Sequence, residues 1–155
     1  MPGGALDFAS PSVRDHVVSL IEEAVKRYDC DGIELDFQRF PRFFQHDKTT
    51  PEQRIAALDN VVERVRSLLD AEGRRRGRRL VLGVRAPSGM GDFAPTPARA
   101  REIGADLAGW SRQRWIDFLV VSEWLFTRDT LGLGEWKRSV PGLDRKSTRL
   151  NSSHT

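Results

Sequence analysis

Glu34 and Asp36 stand two residues apart in Asp31-Gly32-Ile33-Glu34-Leu35-Asp36-Phe37, a run that reads as a buried strand. Side chains alternate along a strand, so both carboxylates share one face while Ile33, Leu35 and Phe37 share the other. Burying an unpaired carboxylate is costly, so an ordinary core strand has little use for two on one face. A parallel barrel strand resolves the conflict, because its C-terminal end opens on a polar cleft where reactive groups gather. Arg85 closes the apolar run from Leu80, and Glu123 closes the one from Ile116. Asp36, Arg85 and Glu123 are therefore expected at one rim. Two carboxyls set across a cleft can work as acid and base, or as acid and nucleophile. A cation beside one of them, from Arg85 or from Arg39 just past Asp36, would lower its pKa and keep it ionised. The other, in a less polar setting, could keep its proton and donate it. Asp36 is expected as nucleophile or base and Glu123 as acid, with the reverse assignment open. Glu34 lies one layer deeper and is expected to form an interior ion pair with a barrel arginine.

The elements that must hold these residues can be read from caps and periodicity. Ser10-Pro11 opens a helix whose apolar stripe is Val13, Val17, Val18, Ile21, Ala24, Val25 and Tyr28. Thr50-Pro51-Glu52-Gln53 is a capping box. The helix it opens carries Ile55, Leu58, Val61, Val62, Val65, Leu68 and Leu69 on one side, with Gly73 as its expected stop. Strands are expected over 32–37, 80–85 and 116–124. Shorter helices are expected at 97–104 and 105–112, and another begins at Glu135. Regular alternation of helix and strand implies a parallel sheet. An open doubly wound sheet and a (β/α)8 barrel both fit. No glycine-rich phosphate loop follows a strand, and each strand ends in a charged residue, so the barrel is favoured.

Composition narrows the function. The chain has 155 residues, enough for one domain, and 39% of them are hydrophobic. Cys30 is the single cysteine, which rules out an internal disulfide and fits a small buried thiol. No run is long and apolar enough to span a membrane, and no signal peptide opens the chain. Residues 144–155 are expected to be a non-native, disordered tail, because Asp144 to His154 is also the translation of a common short-read sequencing adapter. That tail contributes a net +2, so the formal charge falls from +3 to +1 without it. The remaining basicity is largely the run Arg74-Arg75-Arg76-Gly77-Arg78-Arg79, read as a solvated turn between a helix and a strand. Neither feature supports a nucleic-acid partner. The domain is expected to occupy residues 1–143 and to be a piece of a longer protein.

The loop from Gln38 to Thr49 is rich in aromatic residues. Phe40, Phe43, Phe44 and the rim residue Trp124 could stack on the flat face of a ligand, although packing or loop anchoring is the commoner fate of such phenylalanines. Trp110, Trp115 and Trp136 are expected to pack. His46-Asp47 is too small a set to make a metal site.

Leu6-Asp7-Phe8-Ala9-Ser10-Pro11-Ser12-Val13-Arg14-Asp15, then Arg27-Tyr28-Asp29-Cys30-Asp31-Gly32-Ile33-Glu34-Leu35-Asp36-Phe37 and Arg39-Phe40-Pro41, resembles the glycosyl-hydrolase-like barrel proteins called family-ten-like. Trp115 to Glu123 resembles the sixth strand of that family. The resemblance implies an α/β fold, a partial (β/α)8 TIM barrel made of about strands four to six with flanking helices. It also implies a glycoside hydrolase acting on a poly- or oligosaccharide without cofactor or metal. Glycosidic cleavage needs two carboxyls about 5–5.5 Å apart for retention or about 6.5–9.5 Å apart for inversion. On this reading Asp36 and Glu123 are catalytic, and Glu34, Arg39, Arg85 and Trp124 bind substrate. A carbohydrate-binding barrel without turnover and a metal-dependent barrel hydrolase remain as alternatives.

Overall fold

The computed structural model describes residues 6–38, 42–86, 96–121, 133–140 and 142–143. Helix α1 spans Pro11–Arg27, with Ser10 as N-cap and proline in its first turn. Its stripe is only partly covered. Val18 and Val25 are buried and Ile21 packs on the core, whereas Tyr28 lies just past the helix end and is 62% exposed. Helix α2 spans Pro51–Arg76 and opens on the expected capping box. The Thr50 hydroxyl accepts from the Gln53 amide, and the Gln53 side chain accepts from the Thr50 amide at 2.9 Å.

Helix α2 does not stop at Gly73. It runs one turn further and ends on Gly77, whose φ of 68° is the left-handed conformation that glycine adopts without steric cost. Gly73 answers a different need. A Cβ there would lie 2.6 Å from the Arg78 carbonyl oxygen, where the chain folds back beneath the helix.

Three parallel strands follow the expected order: β1 at Gly32–Asp36, β2 at Val81–Arg85 and β3 at Phe118–Val120. Asp36 pairs with Arg85, Glu34 with Gly83, and Gly83 with Phe118. Helix α2 carries the chain from β1 to β2. Helices α3 (Pro97–Glu102) and α4 (Leu107–Arg112) lie between β2 and β3, and α5 (Leu133–Ser139) follows. The third strand is shorter than its apolar run: Ile116 and Asp117 precede it, and residues 122–124 lie outside the described residues.

One sheet face makes the core. Leu82, Val84, Ala86, Leu119 and Val121 are buried with Leu58, Val61, Val62, Val65 and Leu69 of α2, while Ile33 and Leu35 pack against the cluster. Trp110 is fully buried and tilts on Phe37 at 5.7 Å. Trp136 is buried and Trp115 packs on the core, as expected.

Candidate functional site

The opposite face of the sheet carries Glu34, Asp36 and Arg85. Alternation places them together, because Glu34 and Asp36 share the face of Gly83 and Arg85 through the β1–β2 register. Arg85 Nη2 lies 3.0 Å from Glu34 Oε1, and Arg85 Nη1 lies 3.7 Å from Asp36 Oδ2. One guanidinium thus faces both acids; Glu34 has an arginine partner, as expected, but the pair is partly exposed and not interior. The strand is not buried on this side. The Glu34 and Asp36 side chains are 32% and 47% exposed. Asp36 Oδ1 also accepts from the Gln38 amide at 2.8 Å, which fixes the chain as it leaves β1.

Two residues of this face carried no expectation. Gln38 is 7% exposed at the mouth of the sheet, and period-two spacing from Glu34 and Asp36 is the signal that points to it. Phe118 lies on the same face as Gly83 and Glu34, and its ring crosses the Gly83 backbone. A ring in this place needs a glycine opposite, and Gly83 inside an apolar strand is the mark that could have indicated it.

Glu123, Arg39 and Trp124 lie outside the described residues, as does Phe40. Asp36, Glu34 and Arg85 are the expected site residues that the structure brings together. Phe43 and Phe44 anchor the loop instead of lining a rim. Phe44 is buried, and Phe43 meets Phe8 and Phe37 edge-on at 6.0 and 5.5 Å. The Phe8 amide donates to the Phe43 carbonyl at 2.9 Å, so the loop is tied to the chain segment before α1. Among the described residues no cluster of three or more His, Cys, Asp or Glu could hold a metal ion.

The basic run at the other end of the sheet is not a merely solvated turn. Arg76 pairs with Glu72 at 2.7 Å and donates to the carbonyls of Tyr28 and Cys30 at 3.1 and 3.3 Å. Arg78 pairs with Asp29 and Asp31, and Arg79 with Asp117. These arginines stitch the end of α2 to the loops that lead into β1 and β3. Hydrogen bonds from Arg75 and Arg76 hold the Glu72 carboxyl down at about 2. Asp117 is the joint of a second network. Its carboxylate accepts from Arg66 at 2.9 Å and from the Leu82 amide at 2.8 Å, and its own amide donates to the Leu82 carbonyl at 2.8 Å. Arg66 is buried and also reaches the Leu80 carbonyl at 2.8 Å and Asp70 at 2.7 Å. On the helix side, the Trp110 indole donates to Asp59 at 2.6 Å, while burial pushes the Asp59 pKa up.

No family model matches the chain, and no curated protein matches it. Solved structures do. Catalytic domain 2 of the group II chitinase of Ostrinia furnacalis superposes with a TM-score of 0.54 at 14% identity, over 91% of this chain and 38% of that one. A mutant of the same domain in complex with penta-N-acetylchitooctaose gives 0.54 at 16% identity, with the same coverage. The chain itself is a mixed α/β fold with a three-stranded parallel sheet, and these neighbours are TIM-barrel chitinases. A family 18 N-acetylglucosaminidase from Paenibacillus barengoltzii also matches, with a TM-score of 0.49 at 21% identity, over 74% of this chain and 30% of that one. The chain spans less than two-fifths of the length of these proteins. The family-ten-like resemblance finds no support here: no family model matches the chain, and the neighbours with a TM-score above 0.5 are chitinase domains. A strand with an acid at its end recurs across parallel barrels, so that motif marks the fold more than the family.

Proposed function

We propose that this chain is part of a glycoside hydrolase that acts on a poly- or oligosaccharide, with the Glu34, Asp36 and Arg85 face as the wall of its cleft. The observation that carries the reading is Arg85 held between two carboxylates at the C-terminal end of parallel strands, where TIM-barrel enzymes keep their chemistry. The three strands are assigned as the fourth, fifth and sixth of a barrel. Further chain supplies the other strands, and residues 144–155 take no part.

In this proposal Arg85 is committed to Glu34, and Asp36 is the carboxylate left to face substrate. Asp36 attacks the sugar or activates water, and Glu123 protonates the leaving oxygen. Arg39 and Trp124 complete the substrate contacts, the tryptophan by stacking on a sugar face. The two acids then divide the work as glycosidic cleavage requires. The chitinase neighbours make chitooligosaccharides the first substrates to offer. The test is hydrolysis of a panel of oligosaccharides by the full-length gene product and by its Asp36→Asn and Glu123→Gln variants. Turnover by the wild type that both variants retain would refute the assigned roles.

A further inference from the structure

The Phe118 ring occupies the one position at the centre of the inner face that has no side chain of its own. Gly83 pairs with Glu34 on one side and with Phe118 on the other. A Cβ built on Gly83 would lie 2.1 Å from Phe118 Cζ and 2.4 Å from its Cε2, far inside carbon contact distance. The ring therefore reaches sideways from β3 across the backbone of β2. Arg85 is the next residue above Gly83 on that face. Its Nε is buried and has no hydrogen-bond partner among the described residues, although the other guanidinium nitrogens face Glu34 and Asp36. Buried polar atoms normally find partners, so an orphaned guanidinium edge marks apolar cover on that side.

We propose that Phe118 is a positioning residue. Its ring fills the notch at Gly83 and shields the Nε edge of Arg85. The guanidinium is thereby confined to the β1 side, where it meets Glu34 first and Asp36 second. The glycine and the phenylalanine form one device: the absence of a side chain on β2 admits the ring, and the ring turns the arginine. Without it Arg85 could swing down over Gly83 and leave both acids. The effect on catalysis rests on the hydrolase reading above, whereas the effect on Arg85 does not.

The test uses the full-length gene product and its Phe118→Ala, Phe118→Leu and Gly83→Ala variants. Solvent exchange of the Arg85 Nε proton is followed by nuclear magnetic resonance, with the Leu82 and Val84 amides as controls for an intact sheet. Phe118→Ala is expected to speed the Arg85 exchange by roughly tenfold or more while the control amides stay protected. Phe118→Leu is expected to restore most of the protection. Gly83→Ala, which drives the ring out from the other strand, is expected to reproduce the alanine result. It keeps the test open if Phe118→Ala does not fold. On substrate, kcat is expected to fall with KM nearly unchanged in Phe118→Ala and to recover in Phe118→Leu. Unchanged Arg85 exchange in a folded Phe118→Ala or Gly83→Ala protein would overturn the proposal. A wild type that cleaves no glycan but shows the expected exchange pattern supports the wedge and refutes the hydrolase reading.

Discussion

Arg85 bonds Glu34 more closely than Asp36, although Asp36 is its direct partner in the strand register. The distances are 3.0 and 3.7 Å. The guanidinium leans diagonally toward the deeper acid. That lean separates the two carboxylates by their distance from the cation, the nearer one deeper and the farther one at the end of β1.

The separation is measurable as coupling. A double-mutant cycle with Arg85→Ala and Glu34→Gln should give an interaction of about 0.5–1 kcal/mol, since all three side chains are about a third exposed or more. The cycle with Asp36→Asn should give less than half of that. Equal couplings from denaturant midpoints would remove the distinction.

Asp117 should be the most costly surface-adjacent acid to remove. Asp117→Ala leaves the buried Arg66 short of a counter-ion and the Leu82 amide without its side-chain acceptor. Arg66 keeps Asp70 at 2.7 Å, so the loss is that of unmet buried donors, about 1–3 kcal/mol, read as a shift in the urea midpoint at constant slope. A loss under about 1 kcal/mol would show that the network is replaceable by water.

Asp59 and Trp110 give a prediction with a pH sign. Burial raises the Asp59 pKa, so the folded state favours its protonated form. Its contribution to stability is full below the ordinary 3.8 and is lost as pH rises through the raised value. Asp59→Asn keeps an acceptor for the indole and should flatten that stretch of the stability–pH curve. Asp59→Leu orphans the buried indole N–H and should cost about 1–3 kcal/mol.

Glu72 runs the other way. Its carboxyl is held near 2 by Arg75 and Arg76, so its contribution is full above the ordinary 4.5 and is lost as pH falls toward 2. Glu72→Gln should abolish that acid-side slope and loosen the Arg76 contacts to the loop before β1. Thermal melts between pH 5 and pH 2 would show it.

The sheet and its two faces were legible because period-two alternation and the Thr50 capping box are local signals. Glu34 and Asp36 announce a polar face without reference to any distant residue. The arginine run was misjudged because its partners are remote in sequence: Arg76 and Arg78 meet Asp29 and Cys30 across nearly fifty residues. Polarity alone would put Arg66 and Glu72 in solvent, yet both are buried, spaced three or four residues from Val62 and Leu69 on the covered side of α2. Only their tertiary partners make burial tolerable. Gly73 and Gly77 show the same limit. Both are plausible helix stops, and the close approach of Arg78 decides between them. The parallel α/β sheet was recovered while the family-ten-like resemblance found no support, because a strand-end acid belongs to many barrels.

The most direct test of the central claim is the rate of glycan hydrolysis by the full-length gene product with Asp36→Asn, at a pH where the variant's melt matches that of the wild type. Loss of a positioned carboxylate should lower kcat by roughly 100-fold to 10,000-fold with the fold intact. A rate within about twofold of the wild type would contradict the placement of Asp36 at the reacting bond.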